Sequence, residues 1–154
     1  MIIRKMEEKD LEAVSAICLA SFLQSVADSL SDEGVSTFST IAASHSFGER
    51  MKGDNLMLVA ESDGKTVGVI ELKQGRHVAM LFVSPDYQKK GVGKKLLAAA
   101  LEHARTDIVT VSASLSSVPA YEKYGFECKG ATGESEGLIY QPMEIELNSS
   151  MHAK

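Results

Sequence analysis

Apolar residues recur along this chain with two different periods, and the switch between them divides it. Residues 2–6 read as a short strand. Leu11, Val14, Ile17, Cys18 and Phe22 then fall on one face of a helix, with Glu7, Glu8 and Asp10 placed to favour its positive N-terminus. A second helical stretch follows Ser31 and carries Val35, Phe38 and Ile41 on one face. Ser46-Phe47-Gly48-Glu49 has the form of a capping box and predicts that a further short helix opens there.

From residue 55 the period shortens to that of strands. Residues 56–61 and 66–73 read as two strands joined by a turn at Ser62-Asp63-Gly64-Lys65. Gln74-Gly75-Arg76 turns the chain into a third strand over 77–83, which Pro85 and the polar residues after it terminate. Leu96, Leu97, Ala100, Leu101 and Ala104 then mark one face of a helix beginning near Gly93. Residues 108–113 predict a strand, 118–124 a short helix, and 126–129 with 139–147 a final strand pair. The order gives an α/β fold class: a mixed, mostly antiparallel central sheet with flanking helices and one strand–helix–strand crossover over 77–113. A single domain is expected over residues 1–147, followed by a frayed tail at 148–154.

Composition narrows the function classes. With 154 residues, 44% apolar and 24% charged, the chain has the make-up of an ordinary globular domain. A net charge of −5 argues against a nucleic-acid partner. No run approaches the ~20 apolar residues of a membrane span, and the first residues lack the apolar core of a secretory signal. Cys18 and Cys128 have neither metal spacing nor a disulfide framework around them. The expectation is a cytoplasmic protein with no metal. Against this acidic background, Lys89-Lys90 and Lys94-Lys95 form one dense basic cluster.

That cluster sits in the segment Leu81-Phe82-Val83-Ser84-Pro85-Asp86-Tyr87-Gln88-Lys89-Lys90-Gly91-Val92-Gly93-Lys94. Here a strand feeds a polar loop that opens directly into a helix. The first backbone N–H groups of a helix have no internal acceptors, and the helix dipole favours an anion beside them. Gly91 and Gly93 remove side chains that would hold a phosphate away, so the segment reads as a pyrophosphate cradle. Spacing excludes two families of cradle. A Walker loop requires glycine where Gln88 stands and Ser or Thr where Lys95 stands; a dinucleotide fingerprint requires glycine at Leu96.

The segment resembles the acetyl-CoA loop of the GNAT N-acetyltransferase superfamily, in which Gln or Arg, two residues, Gly, one residue, and Gly or Ala follow a strand ending in Val-x-Pro. Gln88, Gly91 and Gly93 match, as do Val83 and Pro85. Tyr121-Glu122-Lys123-Tyr124-Gly125-Phe126 is similar to the Tyr-Glu-Lys-x-Gly-Phe element of the same superfamily. The element order agrees over nearly the whole chain, and Pro142-Met143 within a strand is similar to small bacterial single-domain members. Two positions depart from the pattern. Ser112 and Ser114 lie where the family often has a cofactor-contacting asparagine, and Ala120 replaces a large apolar residue.

The resemblance implies acetyl-CoA as co-substrate and assigns roles. The pantetheine arm pairs with the main chain of Leu81, Phe82 and Val83. Gln88, Lys89, Lys90, Gly91, Val92, Gly93 and Lys94 hold the pyrophosphate, and Ser114 contacts the cofactor near the thioester. Tyr121 is the implied acid, because a hydroxyl of pKa ~10 can protonate a leaving thiolate whose thiol has a pKa near ~8.5. Tyr124 is expected in the core beside Phe126. Glu71 and His77, on or next to central strands, are the candidates for a base acting through a water. Cys18, on an apolar helix face, reads as packing, which favours direct attack on the thioester over an acyl-cysteine. The acceptor groove of such a fold is built largely by residues 8–50, which carry no readable substrate motif. The function expected is transfer of an acetyl group to a primary amine of a small molecule. A protein or peptide amine, and a non-catalytic acyl-CoA-binding sensor, stay open as alternatives. No nucleic-acid or membrane partner is expected; a homodimer is left open.

Overall fold

The computed structural model describes residues 1–25 and 31–147; the tail expected at 148–154 lies outside the described residues. The chain runs β1 (Ile2–Lys5), α1 (Leu11–Ser25), α2 (Asp32–Ile41), α3 (Ser44–Met51), β2 (Asn55–Ser62), β3 (Lys65–Lys73) and β4 (His77–Val83). It continues through α4 (Val92–Leu101), β5 (Ile108–Ala113), α5 (Val118–Tyr124), β6 (Glu127–Cys128), β7 (Gly133–Ser135) and β8 (Leu138–Glu146). The strands form a sheet in the order β1-β2-β3-β4-β5-β8-β6, with β7 paired to β8. All pairings are antiparallel except β4 with β5, which α4 joins as a crossover.

Both faces of the central strands are buried, and each has its own core. On one face Ile70, Leu72, Val78, Leu96, Leu97, Val109, Val111 and Met143 pack beneath α4 and α5. On the other Val14, Cys18, Phe22, Phe38, Phe47, Val59 and Val69 pack beneath α1, α2 and α3. Alternation along β3 divides its side chains between the two: Val69 belongs to the second core, Ile70 and Leu72 to the first. Gly68 lets α4 settle on the sheet, since a methyl there would stand 3.0 Å from Leu96 and 3.1 Å from Val92.

Two expectations are corrected. The helix around residue 46 starts at Ser44, with Ala43 at its N-cap, so Ser46-Phe47-Gly48-Glu49 is no capping box. Ser46 instead donates its hydroxyl to Thr40 O at 2.7 Å, which ties α3 back to the end of α2. The strand β7 was not foreseen. Gly133-Glu134-Ser135 carries no apolar alternation, and β7 exists because β8 offers it an edge.

Within the second core lies a buried ion pair. Glu71 on β3 is 1% exposed, and Arg50 on α3 donates Nε–H to both its carboxylate oxygens at 3.1 and 3.0 Å. The guanidinium also donates to Ile41 O at 2.9 Å and lies 4.6 Å over the Phe47 ring. Burial raises the Glu71 pKa above the ordinary carboxylate value and the Arg50 charge opposes the rise. A raised acid pKa in the fold means that the cost of burying the charged form is felt above that pKa and is relieved as pH falls through it. Arg50→Met keeps the apolar stem and leaves the carboxylate unpaired. Because Arg50 reaches solvent, the loss at neutral pH should fall near the lower end of the ~3–5 kcal/mol typical of a broken buried pair. The difference from the parent should narrow between neutral pH and about pH 5, as the variant takes up a proton. Urea denaturation at both pH values measures this, and a pH-independent difference would show that Glu71 is not the group exposed to the loss.

Candidate active site

The site begins with a failure of strand pairing. β4 pairs with β5 only through His77–Thr110 and Val78–Val111. At the next residue β4 bulges: Glu71 stands opposite Met80 and Leu72 opposite Val78, which leaves Ala79 without a partner on β3. A bulge bends a strand and increases its twist, so β4 turns away from β5 and a cleft opens between them. Ser84 N–H donates to Val67 O at 2.8 Å, which fixes the alternation of the β3–β4 ladder. By that alternation Phe82 spends its main-chain groups on β3, whereas those of Leu81 and Val83 point into the cleft. Of the three residues expected to offer main chain, Leu81 and Val83 thus face the cleft with theirs, whereas the main-chain groups of Phe82 face β3. The Phe82 ring packs into the second core, edge-on to Phe38 at 5.4 Å.

At the mouth of the cleft the carbonyl of Val83 is already occupied. Ser21 of α1, 2% exposed, donates its hydroxyl to it at 2.8 Å, and Gln88 donates its side-chain amide at 3.1 Å. The side chain of Gln88 therefore fastens the loop to the strand. Ser21 was missed by sequence reading because a serine on an apolar helix face carries no signal of its partner.

The loop then reverses with Lys89 at φ 64° and Gly91 at φ 83°. Nothing would obstruct a side chain at Gly91, so the glycine is required by its left-handed backbone and not by crowding. Lys95 N–H is the first to close α4, on Gly91 O at 3.1 Å, which leaves Val92, Gly93 and Lys94 at the open first turn. Lys89, Lys90, Lys94 and Lys95 are exposed and have no carboxylate partner among the described residues; Lys90 lies 5.4 Å over the Tyr87 ring. The arrangement is an anion cradle with unneutralised cations around it. Gly93 has a different reason from the one its motif suggests. It is buried, and a methyl there would stand 2.7 Å from the Tyr124 hydroxyl.

Across the cleft, α5 carries Tyr121, which is 7% exposed and meets Tyr124 and Phe126 edge-on at 5.9 and 5.4 Å. Its hydroxyl has no hydrogen-bond partner among the described residues, where no fully enclosed side-chain oxygen goes unpaired. It therefore opens onto unfilled space. Burial, and secondarily Tyr124, push its pKa well above the ordinary tyrosine value, so it remains protonated. Tyr124 packs, half-buried, against the core that contains Phe126, as expected, but its hydroxyl reaches α4, and the ring that meets Phe126 edge-on is that of Tyr121. Ser114, just past β5, bonds Ser117 Oγ at 2.7 Å. Of the two base candidates, Glu71 is sequestered by Arg50. His77 holds Thr110 Oγ1 through Nδ1 at 2.7 Å, at the closed end of the cleft; burial, then Arg76 and Lys73, lower its pKa and keep it neutral.

On the opposite face, the turn between β7 and β8 closes onto α2. Thr37 donates to Glu136 O at 2.8 Å, and Gly137, at φ 84°, sits so close to the Gly34 backbone that no Cβ would fit.

The family model for the "Acetyltransferase (GNAT) domain" matches residues 26–147. The chain belongs to the GNAT acetyltransferases. An uncharacterized N-acetyltransferase of Escherichia coli, YafP, is 27% identical over 148 residues, covering 91% of this chain and 95% of its own. A crystal structure described as a GCN5-related N-acetyltransferase from Rhodopseudomonas palustris is 31% identical, with a TM-score of 0.83 and 95% of each chain covered. The PaiA N-acetyltransferase of Thermoplasma acidophilum, solved in complex with coenzyme A, superposes with a TM-score of 0.78 over 94% of this chain and 98% of that one, at 23% identity. The expected GNAT fold is thus the observed one, and the chain is an acyltransferase by family. Among the described residues no helix is long and apolar enough to cross a membrane.

The loop makes a quantitative test of this GNAT domain possible without any ligand. Gly91→Val should cost about 1–2 kcal/mol, the penalty of a left-handed L-residue, with no steric contribution from neighbours. For a domain of this size that is a fall of roughly 2–8 °C in melting temperature, readable by calorimetry. An unchanged melting temperature would mean that the loop relaxes out of its positive φ.

Proposed function

We propose that this GNAT protein is an acetyl-CoA-dependent N-acetyltransferase whose acceptor is a primary amine of a small molecule, attacked directly at the thioester. The observation that carries the reading is the cleft itself. The stretch of β4 beyond Val78 that no neighbouring strand pairs on the β5 side leads to the open first turn of α4, so an extended amide-bearing arm and a diphosphate have adjoining places. The coenzyme A complex of the Thermoplasma protein supports the choice of cofactor.

Tyr121 is assigned the leaving group. As a neutral amine attacks the carbonyl carbon, the C–S bond breaks and its electron pair goes to sulfur. The Tyr121 O–H then donates toward that thiolate, and the proton shed by the acylated nitrogen passes through solvent and restores the tyrosine, leaving a neutral amide and a free thiol. Burial weakens Tyr121 as an acid, and the same apolar surroundings disfavour a bare thiolate, so the two groups shift together. No covalent enzyme intermediate is required. Cys18 is fully buried with its thiol pushed up to about 12, which removes it as a nucleophile. A small acceptor is favoured by the contact of α2 with the β7–β8 turn, which brings these two elements together through Thr37 and Gly137. Asp32, Glu33, Glu134 and Glu136 on these two elements favour a cationic acceptor through long-range attraction.

Cofactor specificity is tested by thermal shift. Coenzyme A at ~100 times its dissociation constant should add about 2.7 kcal/mol, or roughly 5–11 °C, and ATP and NAD at equal concentration much less. Equal shifts from all three would reduce the cradle to a general anion site. A shift without coenzyme A release from any member of a panel of small amines, peptides and proteins would favour a sensor over an enzyme, and release with peptides alone would move the acceptor to protein. With an acceptor in hand, Tyr121→Phe should lower kcat by roughly 10²-fold where chemistry limits the rate. An unaltered kcat there would remove Tyr121 from the mechanism.

A further inference from the structure

Gly93 and Tyr124 meet at a point that neither motif predicts. Tyr124 ends α5, the helix that follows β5, yet its ring crosses to the other side of the cleft. A methyl built on Gly93 would stand 2.7 Å from its hydroxyl oxygen and 3.7 Å from Cζ, and also 3.7 Å from the Val83 side chain. The hydroxyl therefore lies at the junction between the end of β4 and the first turn of α4. These are the two elements whose unpaired main-chain groups form the halves of the proposed cofactor site. The ring is half-buried and held edge-on by Tyr121 at 5.9 Å, so its direction is fixed. Its hydroxyl makes no hydrogen bond among the described residues, and burial raises its pKa, which keeps the proton in place. An aliphatic side chain would fill the same volume beside Val83, but it could not donate a proton to a ligand and would not need a glycine at 93.

We propose that the Tyr124 hydroxyl donates a hydrogen bond to the diphosphate of bound coenzyme A, beside the free amides of α4, and that Gly93 lacks a side chain in order to leave it room. This rests on the cofactor reading above. It divides the two tyrosines of α5 by task, with Tyr121 at the thioester and Tyr124 at the phosphates.

The test is calorimetric titration of the parent and of Tyr124→Phe with three ligands: coenzyme A, ADP (diphosphate without pantetheine) and pantetheine (no phosphate). Removing the hydroxyl should weaken coenzyme A and ADP at least about tenfold, as expected for a hydrogen bond to a charged group, and leave pantetheine unchanged. Gly93→Ala should weaken coenzyme A in the same way by displacing the hydroxyl. In a Tyr124→Leu background the same alanine should cost nothing more, because the space is then free. Unchanged coenzyme A affinity in Tyr124→Phe overturns the assignment, and so does an equal loss with pantetheine, which would mark a packing role. A parent protein that binds no coenzyme A overturns the cofactor reading itself, and the Tyr124 assignment with it.

Discussion

The site depends on the bulge at Ala79. β4 and β5 are parallel neighbours in the middle of a continuous sheet, and parallel neighbours normally pair along their length. Each is held firmly on its far side, β4 by β3 and β5 by β8 from Ile108 to Ala113. With an extra residue inserted directly after Val78, β4 twists away while β5 stays with β8. The unpaired N–H and C=O groups this leaves would be a liability elsewhere in a fold. Here they supply a strand-like edge inside the protein, and a ligand with amide groups can complete it.

The remaining parts act to hold that edge open and aim it. α1 reaches the end of β4 through Ser21, and the loop reaches the same carbonyl through Gln88, so Val83 is fixed from two sides. Gly91 then reverses the chain in a left-handed conformation and delivers the first turn of α4 to the mouth of the cleft. α4 is pressed onto β3 over Gly68, which sets the height of its N-terminus above the sheet. The open first turn of α4 and the unpaired stretch of β4 are thereby both referred to β3.

Burial sorts the titratable groups between structure and chemistry. Glu71 and Arg50 neutralise each other in the second core, and Arg4 with Asp10 does similar work at its edge, at 2.8 and 2.9 Å. Tyr121 is nearly as buried as Glu71 and Asp10, but its hydroxyl has no partner among the described residues and is not fully enclosed. A buried polar group without a protein partner is expensive, and it is retained most readily where a ligand supplies the missing one.

The sequence by itself determined the elements and the loop. The apolar runs and the turn residues after them placed β4, β5 and α5 at their observed bounds, with Pro85 beyond the end of β4 and Gly125 closing α5. The segment from Val83 to Gly93 was legible because left-handed turns and unobstructed helix starts demand particular residues in a fixed order, and so leave a motif. Tertiary structure alone decided the rest. No residue type announces a bulge at Ala79, a serine hydroxyl on Val83, a carboxylate sequestered by Arg50, or a three-residue strand β7 that exists only beside β8. It also reassigned Gly93, whose neighbour Tyr124 lies on another helix. Local rules act between residues a few positions apart, whereas Arg50 and Glu71 are separated by 21 positions and Ser21 and Val83 by 62, and only folding brings such residues together.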